Sequence, residues 1–131
     1  MNEKLDRKKI VEEAKRDLEK IIVEGNGKLL DYHAEKLGML LGKGRKEGGT
    51  GAKTSQIRNV FDRVKRMEYN EYNVPLLRAK LFYVAGRHNE MSPLKDVLSD
   101  ALKLIDGREK FDRFKDFFEA IVAYHKYYGG E

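Results

Sequence analysis

Residues 42–66 read GKGRKEGGTGAKTSQIRNVFDRVKR, a stretch that begins as a loop and ends as a helix. Its first ten residues contain five of the chain's twelve glycines, and glycine-rich backbone loses much entropy when it becomes ordered. From residue 54 onward, apolar residues recur at helical spacing, so we expect a helix that Thr54 or Ser55 caps. The sequence therefore predicts a flexible basic loop over 42–52 followed by an amphipathic helix.

The same stretch carries the positive excess of the chain. It holds eight Lys and Arg residues against Glu47 and Asp62, while the rest of the chain has 19 basic and 20 acidic residues. Cations beside a helix N-terminus, whose free N–H groups attract phosphate, favour a polyanion as partner. A solvated helix face, with Arg58, Asp62 and Arg66 as i, i+4 pairs, explains the same charges without a partner. The residues alone leave both interpretations open.

The segment GGTGAKTS, residues 48–55, is similar to a nucleotide-binding phosphate loop, but two positions disagree. That motif requires Gly directly before its Lys and a second Gly five residues earlier, so that backbone N–H groups can surround the phosphates. Ala52 and Glu47 occupy those positions. A leucine-rich helical pattern also precedes the segment where the motif needs a strand, which argues against nucleoside triphosphate binding.

Length and composition limit the remaining possibilities. A chain of 131 residues predicts one domain over 1–131, large enough to form its own core. The absence of Cys excludes disulfides and thiolate metal sites. The N-terminal segment alternates in charge and no apolar run reaches bilayer length, so we expect a cytoplasmic protein with no membrane partner.

Hydrophobic periodicity predicts an all-α bundle of five or six helices and no sheet. The first helix should end at the turn 25–27, where glycine tolerates positive φ. Ser92 and Pro93 should begin the fifth helix as its cap and first residue, and Gly107 should end it. We expect the last helix, which is the most aromatic, to lie at the centre of the core. The predicted spans are 3–24, 28–41, 54–67, 75–87, 92–106 and 110–128.

Catalytic chemistry is not indicated. His33, His88 and His125 lie on three different predicted elements, without carboxylates at ligand spacing, so no metal site is readable. His125 and Lys126 could act as acid and base in RNA cleavage, but neighbouring helix residues point about 100° apart. We therefore expect neither an enzyme nor a cofactor, and we expect His33 to be a hydrogen-bonded core residue.

Three blocks of the sequence resemble one known family. They are AKTSQIR at 52–58, the 81–87 block ending in YVAGR, and FFEAIVAYHKYY at 117–128. These blocks resemble the small subunit of the type III-A CRISPR effector complex, the Csm type. The resemblance covers about residues 53–130, and the C-terminal block is its most distinctive part.

The resemblance implies an all-α subunit without catalytic activity of its own, which works in antiviral defence. In that family, several copies line up beside a repeating backbone subunit that holds the CRISPR RNA, and they cover its duplex with target RNA. The implied partners are therefore CRISPR RNA, target RNA, the backbone subunit, the large subunit and other copies of the same chain. A subunit that serves any guide must contact phosphates and ribose rather than base edges.

Carried over to the matching blocks, the resemblance implies a set of RNA-binding side chains. Lys53, Arg58 and Arg87 come first. Arg78, Lys80 and Lys126 come second. The loop residues Lys43, Arg45 and Lys46 follow them. Tyr83 and Tyr127 are candidates for stacking on bases. Two alternatives remain open: an interaction subunit whose basic faces contact only neighbouring subunits, and a DNA-binding helix-turn-helix, which the long turn between the third and fourth helices disfavours.

Overall fold

A computed structural model describes residues 4–129, and in this range the chain is helical without a strand. The six α-helices are α1 (Arg7–Arg16), α2 (Gly27–Gly42), α3 (Thr54–Arg66), α4 (Asn73–Arg87), α5 (Ser92–Leu102) and α6 (Arg108–Tyr127). A π-helical turn at Glu19–Val23 and two 3-10 turns, Arg45–Glu47 and Asn89–Met91, lie between them. The predicted all-α bundle is confirmed.

The core is built around α6, which packs along α2 and also contacts α3. Four phenylalanines of α6 are fully buried there: Phe111, Phe114, Phe117 and Phe118. The close approach of the two helices depends on Gly38 in α2, because a Cβ at this position would lie 2.5 Å from the Tyr124 Cβ. Two tyrosines also link α2 to the C-terminal end of α6. Tyr124 and Tyr128 each donate a hydroxyl hydrogen bond of 2.5 Å to a carboxylate of α2.

The predicted first helix, 3–24, is broken in two. Helix α1 ends at Arg16, and at the break the buried carboxylate of Asp17 accepts hydrogen bonds from Arg16 and from His33 Nε2, the latter at 2.8 Å. These bonds, from Arg16 first and His33 second, lower the pKa of Asp17 to about 2. The expectation that His33 is a hydrogen-bonded core residue is confirmed.

Turns and caps also differ in detail from their predictions. Gly25 ends the π-helical turn with φ of +73°, as expected, but α5 ends at Leu102 rather than before Gly107. The reason is a tightened last turn, in which Leu104 and Ile105 donate to carbonyls three residues earlier. Ser92 and Pro93 are the first and second residues of α5, so the cap predicted at Ser92 is wrong by one position.

Three features of the prediction lie outside the described residues. They are the start of the first helix at Glu3, the end of the resemblance at Gly130, and the two termini of the 1–131 domain. Within 4–129, no helix combines the length and the apolar character that crossing a bilayer requires.

Candidate nucleic-acid interface

The inner half of the basic loop lies against the end of α2. Thr50 and Ala52 donate backbone hydrogen bonds to the carbonyls of Leu40 and Leu41, at 2.8 and 2.7 Å. Gly49 is buried so closely that a Cβ would lie 2.0 Å from the Lys43 carbonyl oxygen. These contacts fix the position at which the loop joins α3. The flexibility expected for 42–52 stays a prediction.

The outer half of the loop, 44–47, is exposed and contains Arg45 and Lys46. Its 3-10 turn is tied to the N-terminal segment by the Leu5 N–H, which donates to the Glu47 carbonyl at 2.8 Å. Within 4–129, neither basic side chain makes a hydrogen bond or ion pair. These two loop cations are therefore presented to solvent on their own short turn.

His125 anchors the junction between the loop and α3. Its imidazole is fully buried, and Nε2 donates a hydrogen bond of 2.6 Å to the carbonyl oxygen of Ala52. Burial lowers the pKa of His125, against the opposing effect of this hydrogen bond, so the ring is kept neutral. A buried ring committed to a backbone carbonyl cannot reach a strand in solvent, which rules out His125 and Lys126 as an acid–base pair.

Gln56 joins α3 to α4. Its Oε1 accepts the Lys53 N–H at 2.9 Å, and its Nε2 donates to His88 Nδ1 at 3.2 Å. The helix cap is thus Lys53, closed by a side chain three residues later, and the cap predicted at Thr54 or Ser55 is wrong. The Thr54 hydroxyl is buried without a hydrogen-bond partner among the described residues.

These contacts bring the three sequence blocks together at one end of the bundle. Ala52 belongs to the first block and His125 to the third, while His88 directly follows the second. We call this region the basic end and define it by four cations on converging segments. They are Lys43, Lys53, Arg87 and Lys126.

The side chains of the basic end differ in their surroundings. Lys43 lies 3.1 Å from Glu47 Oε2 and 5.7 Å from the centre of the Tyr128 ring. Arg87 donates to the Tyr83 hydroxyl at 3.3 Å, and both side chains are exposed. Lys53 and Lys126 are also exposed. Three of the four side chains are therefore exposed to a partner, and Lys43 is half-buried beside Glu47.

Arg58 lies one turn into α3, about 6 Å along the helix from Thr54. It is exposed, and in the described residues no ion pair joins it to Asp62, nor Asp62 to Arg66. The i, i+4 pairing that explained these charges without a partner is therefore absent. The outer face of α3, which carries Arg58, Arg63 and Arg66 around the exposed Asp62, extends from the basic end.

The remaining candidates lie farther along α4. Lys80 precedes Arg87 by seven residues, about 10 Å, and shares its face. Arg78 is about 14 Å from Arg87 along the helix and stacks on Phe82, with its guanidinium 4.9 Å from the ring centre. Sequence reasoning missed Phe82, which is 45% exposed and has a second cation, Lys95, at 4.9 Å.

The two stacking candidates are accessible. Tyr83 is 65% exposed and Tyr127 is 80% exposed, with the Tyr127 ring edge-on to Tyr128. Sequence reasoning also missed the roles of Gln56 and His88. A Gln three residues after a helix cap is the signal that could have identified the first of them.

Comparison with known proteins decides the family. The family described as Csm2 Type III-A matches residues 24–131, which spans α2 to α6 and all three sequence blocks. The chain belongs to the Csm2 family of type III-A CRISPR systems. A relative, the "CRISPR system Cms protein Csm2" of Streptococcus thermophilus, is 39% identical over 89 residues, which cover 60% of this chain and 74% of that protein. No solved structure matches the chain.

Family membership confirms the resemblance to the small subunit of a Csm-type CRISPR complex. The family match begins at residue 24 and so includes α2, beyond the residues that carry the resemblance, but not α1. Residues 4–129 contain no group of three or more His, Asp or Glu side chains placed to hold a metal ion.

Proposed function

We propose that this small subunit of the type III-A CRISPR complex binds CRISPR RNA and target RNA through their sugar–phosphate backbones. The contacts are made first by Lys53, Arg58 and Arg87, with Lys126 and Lys43 beside them. Binding through backbone phosphates does not depend on the base sequence, which suits a subunit that serves any guide.

One observation carries this proposal: three blocks distant in sequence are held together by buried or partly buried hydrogen bonds. The His125 to Ala52 bond and the Gln56 to His88 bond position exposed cations from α3, α4 and α6 at one end. Cations held on converging rigid segments present a fixed positive surface to a phosphate backbone. Arg78, Lys80, Arg45 and Lys46 extend the path outward in this proposal.

The proposal also covers partners and chemistry. The chain works without catalytic activity of its own, in contact with the repeating backbone subunit, the large subunit and other copies of itself. One small domain offers few phosphate contacts, so the isolated chain binds RNA weakly. Several copies in a filament then supply most of the affinity through avidity.

A second candidate function is an interaction subunit that contacts only protein, and α4 provides the observation that favours it. Tyr72, Leu76 and Tyr83 are 75%, 47% and 65% exposed, and their spacing puts them on one face of the helix. Lys80 and Arg87 flank this apolar stripe. An acidic protein surface would satisfy both the stripe and its cations.

The salt dependence of RNA affinity tests the proposal. A fluorescent 12-residue oligouridylate is titrated with the full chain at several salt concentrations. The double variant Lys53→Gln, Arg87→Gln should bind more weakly and lower the slope of log affinity against log salt by about 0.7 for each phosphate that the chain no longer neutralises. Lys20→Gln is the matched control, since Lys20 is exposed on the π-helical turn beside the N-terminal half of α6.

The two candidate functions give opposite results. RNA binding requires a steep slope in the wild type, a reduced slope in the double variant and no change in the control. An interaction subunit that never touches RNA would show no measurable affinity for the oligouridylate, or an affinity that the double variant leaves unchanged.

A further inference from the structure

A cavity of about 580 Å³ lies at the end of the molecule opposite the basic end, between the C-terminus of α3 and the start of α6. Four cations and Tyr69 contribute to its lining: Lys65, Arg66, Arg108 and Lys115. Two carboxylates, Glu68 and Asp112, also line it. This volume is within the range of pockets that hold small molecules, about 300 to 1,000 Å³.

Hydrogen bonds and packing against the core hold part of the cavity wall in place. Lys115 Nζ donates to the Lys65 carbonyl at 3.3 Å and to the Met67 carbonyl, which fastens the end of α3 to α6. The Tyr69 ring packs on the buried Phe111 ring with their centres 6.4 Å apart. Lys115 is thus a structural cation, and the Tyr69 ring is positioned by the buried Phe111.

The two arginines of the cavity have unused hydrogen-bonding capacity. Arg66 is exposed and makes no ion pair with any residue in 4–129. Arg108 meets Asp112 only at 4.0 Å, with its side chain 87% exposed. A guanidinium presents a planar set of donors that matches phosphate oxygens, so two such groups beside one cavity favour a phosphate ligand.

We infer that this cavity binds one phosphorylated ribonucleoside unit, with its phosphate on Arg66 and Arg108 and its nucleoside against Tyr69. The unit belongs to an RNA strand or to a free nucleotide, since both present the same phosphate chemistry. The inference extends the proposed RNA binding to a second region of the molecule, and in its RNA form it depends on that proposal.

The test is nuclear magnetic resonance of the full chain titrated with uridine 5′-monophosphate, with uridine, and with the 12-residue oligouridylate. Uridine 5′-monophosphate should shift the amide signals of residues 65–69 and 108–112, and uridine should not. The double variant Arg66→Gln, Arg108→Gln should lose these shifts. Arg63→Gln, which removes the same kind of charge from α3 outside the cavity, should keep them. Unchanged melting temperatures confirm that both variants fold.

The outcomes separate this inference from the proposed function. If uridine 5′-monophosphate leaves the amide signals of residues 65–69 and 108–112 unshifted, or if Arg63→Gln abolishes the shifts as fully as the double variant, the cavity is not a site. If the cavity responds to the mononucleotide while the oligouridylate does not bind, the inference holds for a free nucleotide and the proposed RNA binding fails. If the oligouridylate binds the wild type and the cavity variant equally and the mononucleotide leaves 65–69 unshifted, the inference fails and the proposed function stands.

Discussion

At the scale of single residues, His125 has the clearest structural role. Its Nε2 hydrogen bond to Ala52 joins the end of the basic loop to the last turn of α6. His125→Leu should lower the free energy of unfolding by about 1 to 3 kcal/mol, because a buried carbonyl loses its donor. Urea denaturation measures this loss. A variant as stable as the wild type would contradict the anchoring role.

The same residue predicts a pH dependence. Burial lowers the pKa of His125 in the folded chain, so the unfolded chain binds the proton more readily. The stabilisation is therefore complete above the ordinary His pKa and is lost as the pH falls through the lowered one. Between pH 7 and pH 5 the free energy of unfolding should fall in the wild type and fall less steeply in His125→Leu. Equal slopes in the two proteins would contradict this assignment.

Asp17 titrates in a lower window. Hydrogen bonds from Arg16 and His33 lower its pKa to about 2, so its stabilising effect is present above the ordinary Asp pKa and is lost as the pH falls toward 2. Asp17→Asn should therefore destabilise the chain at pH 7 and do so progressively less below pH 4. Urea denaturation at pH 7 and pH 3 checks this. A deficit that does not shrink at pH 3 would count against the low pKa.

At the scale of helices, the contact between α2 and α6 depends on one small residue. Gly38→Ala places a methyl group 2.5 Å from the Tyr124 Cβ and 2.8 Å from the His125 backbone nitrogen. Since backbone cannot yield as a flexible side chain does, the helices must separate. We expect a loss of about 1 to 3 kcal/mol in the free energy of unfolding relative to the control.

The control for this prediction is Gly27→Ala in the same helix, where a Cβ would meet no atom within 4 Å. Its stability should equal or slightly exceed that of the wild type, because Ala is the better helix former. Thermal or urea unfolding of both variants gives the comparison. If the two substitutions change stability equally, Gly38 is not needed for close packing.

The helices show how far the sequence predicts this fold. The 3.6-residue periodicity identifies all six helices, because each buries one apolar stripe against its neighbours. Periodicity could not predict the break at Asp17, since the apolar stripe continues across it and one partner of the buried carboxylate is the distant His33. The end of α5 was missed for a related reason: Leu104 and Ile105 pack against the core from a tight turn as well as from a helix.

At the scale of the whole molecule, the sequence predicts which cations belong to the candidate site but not the contacts that bring them together. The basic stretch and the three blocks identify the cations, because charge and resemblance are properties of the sequence. The bonds that assemble them, Gln56 to His88 and His125 to Ala52, join residues 32 and 73 positions apart. No local pattern encodes such pairs. The exposed Phe82 and the cavity beside Tyr69 were missed because both depend on packing between helices.

The geometry of the bundle divides the candidate cations into two groups. Lys43, Lys53, Arg87 and Lys126 meet at the basic end, while Lys65, Arg66 and Arg108 surround the cavity at the other end. The outer face of α3 connects the two groups. In the proposed function, a strand that contacts both ends can follow this face past Arg58.

The central claim is that the cations of the basic end face RNA in the assembled type III-A complex. Placing a photoreactive amino acid at the position of Lys53 or of Arg87, and at Lys20 as control, tests it most directly after irradiation of the complex loaded with CRISPR RNA and target RNA. The account predicts crosslinks to RNA from positions 53 and 87 and none from position 20. Crosslinks from positions 53 and 87 to protein subunits alone would contradict it.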